Sequence, residues 1–112
     1  MSARFIHEGK SIDYTPAEDV AQGAVVVQGD LIGVALRSIE ANRLGALQVS
    51  GVFSFAKATG EGEALSAGTK VYWNASAEQV TDDDGSGANK YLGKVVSDAG
   101  DDADIVLVRL SQ

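Results

Sequence analysis

Hydrophobic residues recur with a period of two along most of this chain. In residues 45–57, Leu47, Val49, Phe53 and Phe55 occupy odd positions, while Gln48, Ser50 and Ser54 occupy even ones. Successive side chains of a strand point to opposite faces, so the stretch reads as one central strand with a core side and a wet side. Gly51 interrupts the side-chain row, as happens where a strand bends, bulges or admits another backbone.

The same period predicts further strands on both sides. Ile12 to Thr15 is expected to be extended, because Pro16 disfavours helical geometry in the residue before it. Two β-branched runs, Ala24-Val-Val-Val-Gln28 and Leu31-Ile-Gly-Val-Ala-Leu36, flank Gly29-Asp30 and predict a hairpin with a two-residue primed turn. Strands are also predicted at residues 69–73, which carry the only tryptophan, and at residues 79–81, 91–96 and 105–110. Residues 4–7 read as a short first strand or an arm. Residues 17–23 and 63–68 each read as at most one helical turn ended by glycine. Residues 38–44 read as a connection, and residues 58–62, 82–90 and 97–104 as polar or acidic loops. The sum is an all-β, single-domain antiparallel barrel or sandwich of about eight or nine short strands over residues 1–112, in which residues 1–15 form an N-terminal arm or edge strands. A faint repeat accompanies it. Val20-Ala-Gln-Gly23, a strand and Ile32-Gly-Val-Ala35 are echoed by Leu65-Ser-Ala-Gly68, a strand and Leu92-Gly-Lys-Val95, with residues 82–90 as an insertion in the second copy.

Composition fits one domain with its own core: 112 residues, 45% hydrophobic and 22% charged. Without cysteine, no disulfide or thiolate metal site is possible. No apolar run approaches the ~20 residues of a membrane-spanning helix, and the first residues lack the apolar segment of a signal peptide. The net charge is −7, and the nine basic residues are scattered along the chain. Nucleic-acid affinity rests largely on basic contacts to phosphate, so neither nucleic acid nor membrane is expected as a partner.

Reactive chemistry is sparse. His7 is the single histidine and has no cysteine or second histidine to work with. The nearest approach to a phosphate loop, from Gly62 to Gly68-Thr69-Lys70, is one residue too long, has Thr69 between glycine and lysine, and precedes a strand. Asp82-Asp83-Asp84-Gly85-Ser86-Gly87 offers oxygens in a calcium-loop-like order, but the twelfth position is Gly93, where a glutamate belongs. No catalytic residue, metal ligand or cofactor is predicted. A small β module that binds a ligand or divalent metal through its acidic loops is the alternative function.

Several stretches carry a more specific signal. They are Ile12-Asp-Tyr-Thr-Pro-Ala17, Val20-Ala-x-Gly23, Leu31-x-Gly33-Val-Ala35, Gly45-Ala-Leu47, Val49-x-Gly51-Val-Phe53, Lys57-Ala58, Gly68-x-x-Val71-Tyr-Trp73, Leu92-Gly93 and Val106-x-Val108-Arg-Leu110. In this order they resemble a family of capsid decoration, or cement, proteins of tailed phages and prophages. Members of that family are often labelled predicted recombinases of the RecA/RadA type. The failed phosphate loop and the acidic charge argue against that label here. Two positions depart from the family pattern: Ala56 replaces a proline before the lysine, and Asn42-Arg43 fill a connection that usually holds a glycine. The resemblance implies a structural role without catalysis. The protein would sit on the outside of the expanded capsid, with the major capsid protein as partner, as a homo-oligomer, a trimer by family habit. It would be made in the bacterial host cytoplasm and reside in the virion. Phe5, Ile6, Ile12 and Tyr14, apolar residues of the N-terminal segment, are the candidate capsid contacts.

Overall fold

A computed structural model describes residues 3–111. Nine strands form two antiparallel sheets, with a single 3-10 turn at Gly85–Gly87 as the helical content of the described residues. The first sheet contains β1 (Ser11–Tyr14), β2 (Val25–Gln28), β3 (Leu31–Val34) and β4 (Gly45–Gln48), in the order β1-β4-β3-β2. The second contains β5 (Gly51–Ala56), β6 (Lys70–Asn74), β7 (Gln79–Thr81), β8 (Lys90–Val95) and β9 (Ile105–Leu110), in the order β5-β9-β8-β6-β7. The all-β expectation holds, and the sheets do not close into a barrel.

One expectation is corrected. Residues 45–57 are not one strand. The chain leaves the first sheet after Gln48 and enters the second at Gly51, whose φ of +110° lies outside what a side chain tolerates. The alternation survives the crossing, so Leu47 and Phe55 are both buried, but in different hydrophobic clusters. The expected helical turns at residues 17–23 and 63–68 are not helices either. Val20 pairs with Ile39, and Leu65 with Ala99, through reciprocal backbone bonds of 2.8 Å. Gly23 and Gly68 do end these turns, with φ of +83° and +88°. Residues 4–7 form no strand.

The hairpin at Gly29-Asp30 forms as predicted. Gln28 faces Leu31, and Gly29 alone of the turn pair has positive φ, the pattern of a type II′ turn.

The faint repeat is real in three dimensions. The strand orders β1-β4-β3-β2 and β5-β9-β8-β6 are the same order, with β7 and the following acidic loop added to the second unit. The supporting bonds coincide as well. The Gly23 N–H donates to the Ala35 carbonyl at 2.6 Å, and that of Gly68 to Val95 at 2.7 Å. The N–H groups of Ala35 and Val95 return to Ala24 and Thr69, each at 3.0 Å. The pairing of Val34 with Gln48 matches that of Lys94 with Arg109.

The two units contribute unequally to the interior. The main core gathers Phe55, Val71, Trp73, Leu92, Val106 and Val108 from the second sheet and takes Ile32 and Val34 from the first. The first unit's own cluster is Ala35, Ile39 and Leu47, with Ile12, Tyr14, Val20 and Val26 packed against it. In the second unit, β7 lies on the sheet edge opposite β5, and a single parallel bridge from Lys57 to Val80 links their ends.

Two details hold the second unit in register. β8 carries one extra residue opposite β6, because Val71 faces Gly93 while Tyr72 faces Tyr91. This bulge buries Leu92 and Gly93 consecutively. A Cβ on Gly93 would overlap the Arg109 carbonyl oxygen. The other detail is Lys57, which is 3% exposed. Its ammonium donates to the carbonyls of Ala58 at 2.7 Å, Ala103 at 2.8 Å and Gly100 at 3.1 Å, using all three protons. The cation thereby fastens the end of β5 to the loop that leads into β9.

Two stability predictions follow from these contacts. Gly93→Ala sets a side-chain atom against backbone that cannot move without parting β8 from β9. Urea denaturation of this variant should show a loss of more than about 2 kcal/mol. Lys57→Met removes the donors and leaves buried carbonyls unpaired at about 1–3 kcal/mol each, so its loss should reach roughly 3 kcal/mol. Lys57→Arg, which keeps the charge, should lose less.

Candidate docking surfaces

The four predicted contact residues fall into two pairs. Phe5 and Ile6 are 80% and 76% exposed, on a segment that is solvent-exposed from Ala3 to Glu8. Ile12 and Tyr14 lie in β1, half-buried against the first unit's own cluster. Lys10 anchors the base of the segment: its carbonyl accepts from the Val49 N–H at 2.9 Å, and its ammonium pairs with Glu8 at 3.4 Å. His7 is used locally, with Nδ1 accepting from the Gly9 N–H at 2.9 Å. The structure therefore places an exposed apolar pair on an arm and a packed pair at its root.

A second surface lies on the outer face of the last strand, which is apolar on both sides. β9 alternates buried Val106, Val108 and Leu110 with exposed Ile105, Leu107 and Arg109. Nothing within the described residues covers this outer face. Val52 is 55% exposed, Ile105 55% and Leu107 41%, and Val96 beside them is also exposed. Residues directly opposite in antiparallel strands share a face. Lys70 faces Lys94, Lys94 faces Arg109, and Arg109 faces Val52, so three cations stand in one row across β6, β8 and β9. All three are exposed, and no described carboxylate pairs with any of them. Tyr72 and Tyr91 flank the row edge to face, with ring centroids 6.0 Å apart. The cations are far apart in sequence. Only the β6–β8–β9 register brings them together, and for Lys94 the bulge at Leu92-Gly93 is what turns it outward.

The acidic loop serves its own turn. The Asp83 and Asp84 carboxylates accept from the N–H groups of Gly85 at 2.9 Å and Ser86 at 3.1 Å, and the Asn89 amide donates to the Asp83 carbonyl at 2.9 Å. Among the described residues, no three His, Cys, Asp or Glu side chains converge as a metal site. In the other acidic loop, Asp98 and Asp101 accept from the backbone of Ala67 and Ala64 at 2.8 and 2.9 Å, tying it to residues 63–68. Asp30 at the hairpin tip binds Lys90 at 2.9 Å, which links the two units. That hydrogen bond and the ammonium charge hold the Asp30 carboxyl below its ordinary pKa, so the link persists above the usual carboxylate range and fades as pH falls through the lowered value. An open groove of about 720 Å³ beside Leu36, Ile39, Arg43 and Leu44 presents no grouped reactive side chains.

Residues 82–88 are exposed, but they carry the chain from β7 across β6 to β8, so the crossing cannot be cut to a two-residue turn. The charge of Asp82, which is exposed and makes no described hydrogen bond or ion pair, is dispensable, and Asp82→Asn should leave the melting temperature within a few degrees. Circular dichroism melting of the variant checks this, and a large fall would mean that the Asp82 carboxylate is packed or ligated.

No curated protein and no solved structure matches this chain. A family model described as phage cement protein matches residues 6–110, which takes in both repeat units, the sheet-switching segment and the root of the arm. The chain belongs to the phage cement protein family.

Proposed function

We propose that this protein binds the outside of an expanded phage capsid, with the major capsid protein as its partner, and ties neighbouring capsomers together. The family match over residues 6–110 carries this reading. The surface is compatible with it. Cementing a shell needs contact area repeated over many copies, and the chain offers an exposed arm and an uncovered sheet face. In this reading the protein acts as a trimer without catalysis, cofactor or nucleic acid. It is made in the host cytoplasm and resides on the virion.

Phe5 and Ile6 are the arm's contacts with the shell. Each, once buried, contributes about 1.5–3 kcal/mol, and every 1.4 kcal/mol is a tenfold change in affinity. Ile12 and Tyr14 hold the arm's root against the first unit.

Purified protein mixed with expanded capsids of its own phage should co-sediment with them. A truncation beginning at Gly9 should keep the strand content of the full chain and lose at least about tenfold in shell affinity. Failure of the full chain to co-sediment overturns the cement reading. A truncation that still decorates shells at full occupancy moves the contact away from the arm. A truncation that unfolds shows the segment to be part of the core.

A further inference from the structure

We propose that the outer face of the second sheet, centred on Lys70, Lys94 and Arg109, docks against an acidic surface of a second copy of this chain. The inference deepens the trimeric assembly suggested above and rests on it. Three observations support it.

Like charges placed directly opposite one another across strands are destabilising. The Lys70–Lys94–Arg109 row makes two such pairs side by side, although the chain carries sixteen acidic residues and nine basic ones. Acids are plentiful elsewhere, including Asp82-Asp83-Asp84 and four aspartates within residues 97–104, yet none reaches the row. The chain thus carries both halves of a complementary pair that it does not join within itself.

The apolar residues Val52, Val96, Ile105 and Leu107 lie around the row. Such a face, cations among apolar residues, gains from burial only against a partner that supplies carboxylates.

The repeat supplies the third observation. In the first unit, Val25 and Val34 stand opposite each other where Lys70 and Lys94 stand in the second. That face of the first unit is already an interface, with Val25 and Val34 packed beside Phe53 and Phe55 in the main core. The same face of the same four-stranded unit is therefore covered inside the chain in one copy and bare in the other.

The charge also fixes the kind of symmetry. A twofold contact of this face with itself would set cation rows against each other. The contact is therefore heterologous, face to acidic surface, and repeats around a closed ring.

Sedimentation velocity of the full-length protein, without shells, tests this. The wild type should form a discrete ring whose fraction falls as salt is raised. Lys94→Glu should abolish the ring at the same concentrations. Within the monomer, however, that change turns a row of three cations into an alternating one. Melting at dilutions where both proteins are monomeric should therefore show Lys94→Glu at least as stable as the wild type. Loss of the ring together with undiminished stability is the expected pair of results. Lys94→Gln, which neutralises without reversing, should give an intermediate loss. A variant that assembles like the wild type overturns the proposal. So does a wild type that stays monomeric. If that monomer still decorates shells and Lys94→Glu does not, the face belongs to the shell and the cement reading stands.

Discussion

The fold depends on one passage of backbone, the crossing between Gln48 and Gly51. Each of the four strands before it belongs to the first sheet, and each of the five after it to the second. Only two residues, Val49 and Ser50, separate the end of β4 from the start of β5, so the two sheets are held close together. Ile32 and Val34 of one are drawn into the core of the other. Gly51 permits the crossing because its backbone sits at positive φ.

What the crossing joins is a pair of like units with unlike interiors. The second has a full core, a bulge that aims Leu92 and Gly93 inward, and the Lys57 ammonium closing one end on three carbonyls. The first has a smaller cluster of its own and presses its other face on the second. A lysine is rarely buried, because desolvating its charge is costly. Here the carbonyls of Ala58, Gly100 and Ala103 replace water at full valence, and the loop between β8 and β9 is held by the same bonds.

Much of this was legible in the sequence. β7 and β9 match their predicted bounds, β6 and β8 lie within a residue of theirs, and the hairpin turn follows from Gly29. The repeat was visible as Gly23 and Gly68, Ile32-Gly33 and Leu92-Gly93. The sheet change was not, because alternation reports which face a residue takes and is blind to which sheet the face belongs to. Leu47 and Phe55 keep the same parity through the crossing. The turns at residues 17–23 and 63–68 were misread because Val20 and Leu65 take their partners from residues far along the chain. Of the candidate contacts, Phe5 and Ile6 were placed on the surface and Ile12 and Tyr14 against a core, a division that needs the register of β1 with β4. The cation row required three strand registers at once, and Lys57 reads as an ordinary surface lysine until its carbonyls are in place.

The position of β9 has a consequence for synthesis. It lies between β5 and β8, yet it is translated after both. While the ribosome works through the acidic loops, β5 waits without its neighbour and exposes Phe53 and Phe55. The first sheet, complete in sequence at Gln48, lacks the surface that covers Ile32 and Val34. The core of such a chain cannot be complete before residues 105–110 arrive to lie between β5 and β8. Nascent chains crowded on one messenger would present these edges to each other before that arrival. A phage that needs many copies at once would depend on the speed of that completion as much as on the stability it produces.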